Sequence, residues 1–284
     1  MNSYIIILCI SLNYFLIPVN SIESKSSNVG IFSTNICDNI FLKHECVSMP
    51  SRSFIGDYTV APKYKLNACH IGKSFSSVTL SIFCYLNNKK VFLKKYGTSK
   101  DKINFRDMCG RENNHHNLPD IYKKYTHSNK TEFFENWNQP FHPYCFGCYN
   151  NVECFLQNLY FDIKAVQNNL KEPNTFIKYH FYPQTWQCDY TFFKDKYKIL
   201  HYNDDMEAFY NNYLYELQDN NVPKDDLLFI NEMFHTVKVR HSTFDKKEIQ
   251  IYRERIMNNP YILSLISKIF YHDFIEFNFN LPKI

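Results

Sequence analysis

The sequence predicts an α/β fold, because strand patterns alternate with helix patterns along the chain. A strand over Lys63–Ile71 is followed by a hydroxyl-rich turn and a helix marked by Val78, Ile82 and Tyr85. A second short strand, Tyr197–Tyr202, precedes another amphipathic helix. The chain has 284 residues, of which 45% are hydrophobic and 18% aromatic, so it can bury one large core.

Further helices are predicted where apolar residues recur at helical spacing or where a capping pattern is present. They are the stretch from Val152 to Ile163, the stretch from the capping box Asp204-x-x-Glu207 to Leu217, the segment with Leu227, Ile230 and Phe234, the segment with Ile249, Tyr252 and Ile256, and a last helix that Asn259-Pro260 begins and that carries Ile262 through Phe270.

Composition excludes two classes of protein. The net charge is +4 and the pI is about 8.4, which is too weakly basic for non-specific nucleic-acid binding, so we expect no nucleic-acid partner. The chain has 6 glycines and no Walker sequence, so a nucleoside triphosphatase is not predicted.

The N-terminus resembles a targeting segment. Tyr4–Val19 is an apolar run broken by two polar residues, which fits a signal peptide and is shorter than the ~20 residues that span a bilayer. We predict a signal peptide over residues 1–21, cleaved after Ser21, and an uncleaved anchor formed by residues 4–19 is the alternative. In both cases the protein enters the secretory pathway.

The number of cysteines agrees with entry into the secretory pathway. Nine of the 10 cysteines follow the predicted signal peptide, and in an oxidising environment we expect them mainly in disulfides. Because nine is odd, one is free, pairs between chains or has lost its partner. Asn129-Lys130-Thr131 is an N-glycosylation sequon, which fits exposure to the lumen.

Cys145 and Cys148, with Cys154 and His142 nearby, have a spacing that also suits zinc or a redox pair. The sequence contains no second C-x-x-C, so we favour structural disulfides and expect no metal.

The turn between the first predicted strand and its helix is the best candidate for chemistry. A helix N-terminus offers unpaired amide groups and the positive end of the helix dipole, and therefore binds anions. Lys73 adds a full charge, and Ser74, Ser76 and Ser77 add hydroxyl donors. The alternative is a capped core helix with an exposed lysine. His180, beside the turn at Pro183, is either a catalytic base or a structural residue.

A series of motifs runs in order along roughly residues 55–284. They are Ala61-Pro62-Lys63-Tyr64-x-Leu66-x-x-Cys69-x-Ile71-x-Lys73-x-x-Ser76-Ser77, Cys84-Tyr85-Leu86, Cys145-x-Gly147-Cys148 with Cys154-Phe155, His180-Phe181-x-Pro183-Gln184-x-Trp186-x-Cys188, His241-Ser242-Thr243, and Pro260-Tyr261 through Phe270-Tyr271-x-Asp273-Phe274 to Leu281-Pro282. Together they resemble the Golgi carbohydrate sulfotransferases, specifically the divergent invertebrate branch of that family.

The resemblance implies a disulfide-stabilised α/β domain over residues 55–284 with a P-loop-like parallel sheet flanked by helices, after a linker and cysteine-containing segment over residues 22–54. It implies sulfuryl transfer from 3′-phosphoadenosine 5′-phosphosulfate to a glycan hydroxyl in the Golgi, most often on chondroitin-type glycosaminoglycan. Lys73, Ser74, Ser76 and Ser77 correspond to the loop that holds the phosphosulfate, and His180 is the nearest candidate for the base.

One element of the family pattern is absent. Before the C-x-G-C motif the family carries Arg-Asp/Glu-Pro-x-x-Arg-Phe-x-Ser, whose first Arg and Ser bind the donor's 3′-phosphate. Here residues 132–144 run to Cys145 without that Arg or Ser. The missing piece usually contains a cysteine, which would account for the odd count. The nearby substitutes are Arg240, His241, Ser242 and Thr243. The sequence therefore leaves two functions open, a luminal sulfotransferase and a catalytically inactive relative that binds glycan or nucleotide.

Overall fold

The computed structural model describes residues 4–10, 37–39, 42–54, 56–72, 75–96, 113–116, 118, 121, 144–148, 151–202, 205–236 and 247–282. The chain divides into two compact units. The first is formed by Met1–Ile10, Arg52–Trp137 and Gln184–Ser242, and the second by Ser11–Ser51, Asn138–Pro183 and Thr243–Ile284.

The first unit contains a sheet of five described strands, in the order β4-β2-β3-β1-β5. The strands are β1 (Tyr4–Ile10), β2 (Tyr58–Ala61), β3 (Leu66–Cys69), β4 (Asn114–His115) and β5 (Tyr197–Tyr202). β1 runs parallel to both β3 and β5, whereas β2 runs antiparallel to both β3 and β4. The α/β class is thus confirmed, and the sheet is mixed.

Antiparallel pairing of β2 and β3 follows from the short connection between them. The 3₁₀ turn Pro62–Tyr64 and Lys65, which has a φ of 54°, reverse the chain within four residues. A parallel pair needs a crossover of a dozen residues or more, so such a tight link can only join antiparallel strands. The expected sheet with parallel strands throughout does not form at this edge.

The middle strand of the sheet comes from the segment predicted as a signal peptide. β1 pairs with β3 from Tyr4↔Leu66 to Ile7↔Cys69, and with β5 from Ile5↔Tyr197 to Ile10↔Tyr202. An unbroken apolar run suits a strand that has a parallel neighbour on each side as well as it suits a signal peptide. Cleavage after Ser21 stays a prediction, and it would remove β1 from the sheet.

The helices, in chain order, are α1 (Ser76–Asn87), α2 (Lys89–Tyr96), α3 (Val152–Gln167), α4 (Thr175–Phe181), α5 (Tyr190–Phe193), α6 (Met206–Asp219), α7 (Lys224–Thr236), α8 (Lys247–Met257) and α9 (Pro260–Glu276). Among the described residues no helix has the length and apolar character needed to cross a membrane.

The core of the first unit lies between the sheet and helices α1, α6 and α7. Ile82 and Phe83 of α1 are fully buried there, together with Tyr213 of α6 and Ile230 of α7. The apolar spacing that predicted these helices is the spacing of the residues that face this core. The core holds α1 against the sheet and so fixes where the helix begins.

In the second unit, α3 packs on α9. Their first turns are capped by asparagines, because the Asn151 side chain accepts from the Cys154 amide and the Asn259 side chain accepts from the Ile262 amide. The predicted start of the last helix at Asn259-Pro260 is confirmed. The segment before β2 joins this unit through a 2.5 Å ion pair between Lys268 and Glu45.

Disulfides are confirmed. The three described pairs are Cys37–Cys46, Cys69–Cys188 and Cys148–Cys154, and Cys84 is also disulfide-bonded. Cys148 and Cys154, which were also candidates for zinc binding or for redox chemistry, form a disulfide with each other. Each of the three described pairs lies within one compact unit.

Candidate functional site

The candidate site is the junction between strand β3 and helix α1. β3 ends at Cys69, three buried residues, His70 to Gly72, continue from it, and α1 begins at Ser76. Lys73 and Ser74 of the predicted anion loop lie outside the described residues. The strand–turn–helix unit expected from the sequence is present, and Ser76 and Ser77 occupy the first turn of its helix.

Phe75 precedes the helix in a left-handed conformation, with φ 58° and ψ 11°. A left-handed residue followed by right-handed helical residues turns successive amide groups toward one side, which creates a concave site for an anion. The amides of Val78 and Thr79 donate to the Phe75 carbonyl at 3.1 Å each, so the helical hydrogen bonds begin only there. The amides of Ser76 and Ser77 belong to the first turn, where a helix has no internal acceptor.

The hydroxyl-rich turn predicted before this helix does not supply its cap. The residue in the cap position is Phe75, whose side chain makes no capping hydrogen bond. Its ring instead contacts four aromatic rings of α6 and α7, with centroid distances of 5.1 to 6.4 Å to Phe209, Tyr210, Tyr213 and Phe234. Aromatic packing therefore fixes Phe75 at the start of α1.

Ser76 and Ser77 are half-buried. The Ser81 hydroxyl donates to the Ser77 carbonyl at 3.0 Å, which is a bond within the helix. Hydroxyl groups in the first turn of a helix are placed to add donors to those of the backbone. The two serines can therefore complete an anion site at this end of α1.

His70 is the polar residue buried where β3 ends. It is 3% exposed, and its backbone amide donates to the Asp57 carbonyl at 2.7 Å. On the ring, Nε2 is hydrogen-bonded to Thr59 Oγ1, and Thr59 in turn donates to Asn114 Oδ1 at 3.2 Å. His70 is not among the residues predicted from the sequence, because a single histidine has no spacing pattern. Its position at the end of an apolar strand, three residues before Lys73, was the available signal.

The other ring nitrogen of His70 faces the backbone of Ser76. Nδ1 is buried without a hydrogen bond of good geometry, and the nearby Ser76 backbone group acts as an acceptor, because it raises the pKa of the ring. Burial lowers the pKa of His70 to about 4, while the Asp57 carboxylate and the Ser76 backbone group oppose this change. The imidazole is therefore neutral near pH 7 and has a polar atom next to the first residue of α1.

Covalent and buried polar contacts hold the end of β3 in place. Cys69 is bonded to Cys188, and the next residue, Asp189, is a buried carboxylate. Asp189 accepts hydrogen bonds from Ser53 and, at 3.2 Å, from Tyr58. Burial raises the pKa of Tyr58 far above its usual value, so Tyr58 stays a donor. These contacts fix the strand from which His70 extends.

His180 lies in the second unit, near the end of α4. Its Nδ1 is 2.8 Å from the Phe176 carbonyl oxygen, and its ring packs on the Phe176 ring at 4.1 Å. A carbonyl only accepts, so Nδ1 carries the hydrogen, and in the neutral imidazole Nε2 then has the lone pair. The ring is half-buried, and its geometry is compatible with a proton acceptor.

The remaining predicted site residues, His241, Ser242 and Thr243, lie outside the described residues, as does Arg240. The structure therefore describes Ser76 and Ser77 in the first unit and His180 in the second. Within the described part of the chain, no group of three or more histidine, cysteine, aspartate and glutamate residues could hold a metal ion.

A model of the sulfotransferase family matches residues 56–137, the span that contains β2, β3 and α1. Over this span the chain is similar to the sulfotransferase family. The junction described above lies within the matched span. No solved structure matches the chain.

The chain is also similar to three proteins of Caenorhabditis elegans. An uncharacterized protein is 28% identical over 276 residues, which cover 88% of this chain and 74% of the relative. The carbohydrate sulfotransferase chst-1 is 26% identical over 263 residues, covering 83% of this chain and 79% of its own. A third relative, vep-2, is 24% identical over 263 residues, covering 84% and 80% respectively.

Proposed function

We propose that this chain is a carbohydrate sulfotransferase-like protein that binds 3′-phosphoadenosine 5′-phosphosulfate and directs its sulfuryl group to a glycan hydroxyl. The observation that carries the proposal is the junction of β3 with α1, inside the span that matches the family. There, left-handed Phe75 and the first turn of α1 direct amide groups toward one side. This β3–loop–α1 unit would act as a P-loop-like anion site.

The chemistry fits such a site. In sulfuryl transfer the bond between sulfur and the phosphate oxygen breaks, a bond between sulfur and the acceptor oxygen forms, and the acceptor hydroxyl loses its proton. Negative charge accumulates on the sulfuryl oxygens and on the departing phosphate, so fixed donors there stabilise the transition state. In this proposal Lys73, Ser74, Ser76 and Ser77 supply those donors.

His180 is the proposed base. A base that takes the acceptor's proton needs a lone pair on a nitrogen that can face the hydroxyl. The contact between Nδ1 and the Phe176 carbonyl leaves that lone pair on Nε2 of the neutral ring. The donor's 3′-phosphate would be met by His241, Ser242 and Thr243.

The proposed acceptor is a glycan, and a chondroitin-type glycosaminoglycan is the first to test. One relative, chst-1, is named a carbohydrate sulfotransferase. Members of this family are generally resident in the Golgi, so we propose that the protein acts in the Golgi lumen or membrane, with secretion as the alternative. The sequon Asn129-Lys130-Thr131 suits a luminal glycoprotein.

A second function is favoured by one specific observation. The sequence lacks the Arg and Ser with which the family binds the 3′-phosphate, between Trp137 and Cys145. A chain without them could keep the fold and bind glycan or nucleotide without transferring sulfate. Binding without transfer would identify this inactive relative.

The deciding experiment pairs two lysine variants in the first unit. Lys73→Ala should weaken binding of adenosine 3′,5′-bisphosphate by about 2 kcal/mol, or about thirty-fold, because a charged hydrogen bond is lost. Lys90→Ala removes an exposed lysine from α2 and should leave binding unchanged. Calorimetry measures affinity, and transfer of labelled sulfate to chondroitin measures activity. Equal affinity of Lys73→Ala and the unmodified chain, with the fold intact, would remove Lys73 from the site.

A further inference from the structure

We propose that a basic surface of the first unit binds an anionic glycan chain at a distance from the sugar that reacts. This basic face is formed by Lys63, in the turn between β2 and β3, and by Lys89, Lys90 and Lys94 of α2. The inference rests on the proposed function and deepens it, because it gives the glycan a binding surface outside the donor site.

The positive charge of the chain is concentrated in one segment. Residues 58–100 contain eight lysines and no arginine, aspartate or glutamate, whereas the rest of the chain contains 24 basic and 28 acidic residues. The segment is therefore strongly basic, although the net charge of the whole chain is only +4. Like charges on one surface repel each other, so a surface of this kind indicates an anionic partner.

The fold brings lysines of this segment together near one carboxylate. Asp226 of α7 accepts from Lys89 Nζ at 2.6 Å. Burial alone would raise the pKa of Asp226, but hydrogen bonds from Lys89 and Tyr85 lower it, and the nearby charge of Lys63 adds to this effect. The turn that carries Lys63 therefore lies close to the start of α2.

One carboxylate serves two of the four lysines, and the other two have no acidic partner. Asp226 pairs with Lys89 and lies near Lys63. Lys90 and Lys94 are one helical turn apart and exposed, and within the described part of the chain they form no ion pair. The sequence of α2 contains no acidic residue. Their charges are thus available to a ligand.

The basic face is separate from the donor site. The 12 residues of α1, from Ser76 to Asn87, span about 18 Å at the usual rise of a helix. The proposed anion site lies at the first turn of α1, whereas Lys89 and Lys90 follow its last turn. They are therefore too far away to touch a phosphosulfate held at the start of α1. They can contact only a different ligand or a distant part of a long one.

An anionic glycan fits this face better than a nucleic acid does. Lysine presents a point charge and lacks the fork geometry with which arginine recognises phosphate. A single-stranded nucleic acid also needs exposed rings on which its bases stack, but Tyr64, Tyr85 and Phe92, which lie beside these lysines, are buried. A chondroitin-type chain carries carboxylate and sulfate groups at regular intervals, so it can meet several lysines at once.

Two double variants of α2 test the proposal. Lys90→Ala with Lys94→Ala removes both unbalanced charges, and binding of polymeric chondroitin sulfate should weaken about two- to thirtyfold, the range for two exposed ion pairs. Lys90→Arg with Lys94→Arg keeps the charges and should keep the affinity. Lys196→Ala removes an exposed lysine elsewhere in the first unit and is the control.

Two further measurements locate the effect. The binding constant for chondroitin sulfate should depend less steeply on salt in the alanine double variant, because fewer counterions are released. Adenosine 3′,5′-bisphosphate should bind all these variants with the affinity of the unmodified chain, since α2 lies away from the donor site. Thermal unfolding checks that these exposed substitutions leave the fold intact.

The outcomes separate the basic face from the donor site. Unchanged affinity of the alanine double variant for chondroitin sulfate, with the fold intact, would overturn the basic face and leave the proposed donor site standing. Equal or tighter binding of single-stranded DNA would overturn the choice of a glycan. A glycan affinity that depends on Lys90 and Lys94 in a chain that binds no nucleotide would support the basic face and refute the proposed function.

Discussion

The ring of Phe75 packs edge-on against the ring of Phe209, with 5.1 Å between their centroids and planes at 85°. The Phe75 backbone has a φ of 58°, a region that non-glycine residues enter at a cost of about 1–2 kcal/mol. Burial of the ring among α6 and α7 offsets that cost. The side chain therefore stabilises a backbone conformation that the helix start requires.

Substitution of Phe75 tests this coupling. Phe75→Ala should lower the free energy of unfolding by about 2–3 kcal/mol, less than for a fully buried phenylalanine because the ring is only half-buried. Phe75→Gly loses the same contacts without the steric cost of a left-handed side chain. It should therefore be up to about 1 kcal/mol more stable than Phe75→Ala. Urea unfolding of both variants gives the order, and a less stable glycine variant would contradict the left-handed assignment.

The disulfides should differ in their contribution to stability. Cys69–Cys188 closes a loop with a sequence separation of 119 residues, whereas Cys148–Cys154 has a separation of 6. Loop-closure entropy assigns about 5 kcal/mol to the first and about 2 kcal/mol to the second. Replacing both cysteines of each pair with serine and comparing urea unfolding checks the order. Equal losses from the two pairs would show that chain entropy does not set their contribution.

His70 should make stability depend on pH below neutrality. Its pKa is about 4 in the folded protein against 6.5 for the unperturbed group, so the unfolded chain binds a proton that the folded chain refuses. Stability should therefore fall as the pH decreases through this window, by about 3 kcal/mol in total. Between pH 7 and pH 4, the free energy of unfolding of His70→Asn should therefore fall by about 3 kcal/mol less than that of the unmodified chain. If the free energies of unfolding of the two proteins change with pH in parallel, His70 does not titrate in this way.

Sequence patterns that span only a few residues correctly predicted the strands and helices in which they lie. The strand Tyr197–Tyr202 has the predicted bounds, and Asn259 with Pro260 begins α9. The predicted capping box at Asp204 is displaced by one residue, because the Asp205 carboxylate accepts from the Ala208 amide at 3.0 Å. Short-range hydrogen bonding of this kind is encoded within a few residues, so the sequence alone gives it nearly correctly.

Features that depend on distant contacts were not predicted. The strand expected over Lys63–Ile71 shortens to Leu66–Cys69, because Pro62 begins a 3₁₀ turn instead. The left-handed Phe75 depends on rings in α6 and α7, more than 130 residues away along the chain. The pairing of β2 with β3 places His70 beside Thr59. No short stretch of sequence contains both Phe75 and the rings that it contacts.

A buried carboxylate links α7 to helices α1 and α2. Asp226 accepts from Tyr85 at 2.7 Å and from Lys89 at 2.6 Å. Burial by itself would raise the pKa of Asp226, but the hydrogen bonds from Lys89 and Tyr85 lower it below its usual value. The charged carboxylate is thus stabilised by two donors from other helices.

Substitution of Asp226 and substitution of Lys89 should lower the stability of the fold by unequal amounts. Asp226→Ala should destabilise the fold by about 2–3 kcal/mol, because it leaves the buried Tyr85 hydroxyl without its acceptor. Lys89→Ala should lose less than about 1 kcal/mol, because the Lys89 side chain is 51% exposed. Asp225→Ala, on the same helix but exposed, is the control and should change little. Chemical denaturation measures all three, and a larger loss for Lys89→Ala would refute this account.

The strongest prediction follows from the absence of the family's segment that binds the 3′-phosphate. A dianionic phosphate is recognised by an arginine fork or an equivalent cluster of donors, and the sequence between Trp137 and Cys145 contains neither the family's Arg nor its Ser. If the chain is the inactive relative, donor binding should be weak and sulfotransfer should be slight or absent. Adenosine 5′-phosphosulfate should then bind nearly as well as the donor that carries the 3′-phosphate, because nothing in this segment distinguishes them.

Restoring the segment should reverse these properties. A chain with a family-like strand and helix start inserted between Trp137 and Cys145 should bind the 3′-phosphorylated donor more tightly by several kcal/mol, because each charge-assisted bond contributes about 1.5–3 kcal/mol. An otherwise identical insertion with its Arg and Ser replaced by alanine is the matched control, and it should not gain affinity. Donor binding and glycan sulfation are measured on all three chains. Robust turnover by the unmodified chain would show that another group holds the 3′-phosphate, and His241→Ala with Thr243→Ala would then test the proposed substitutes.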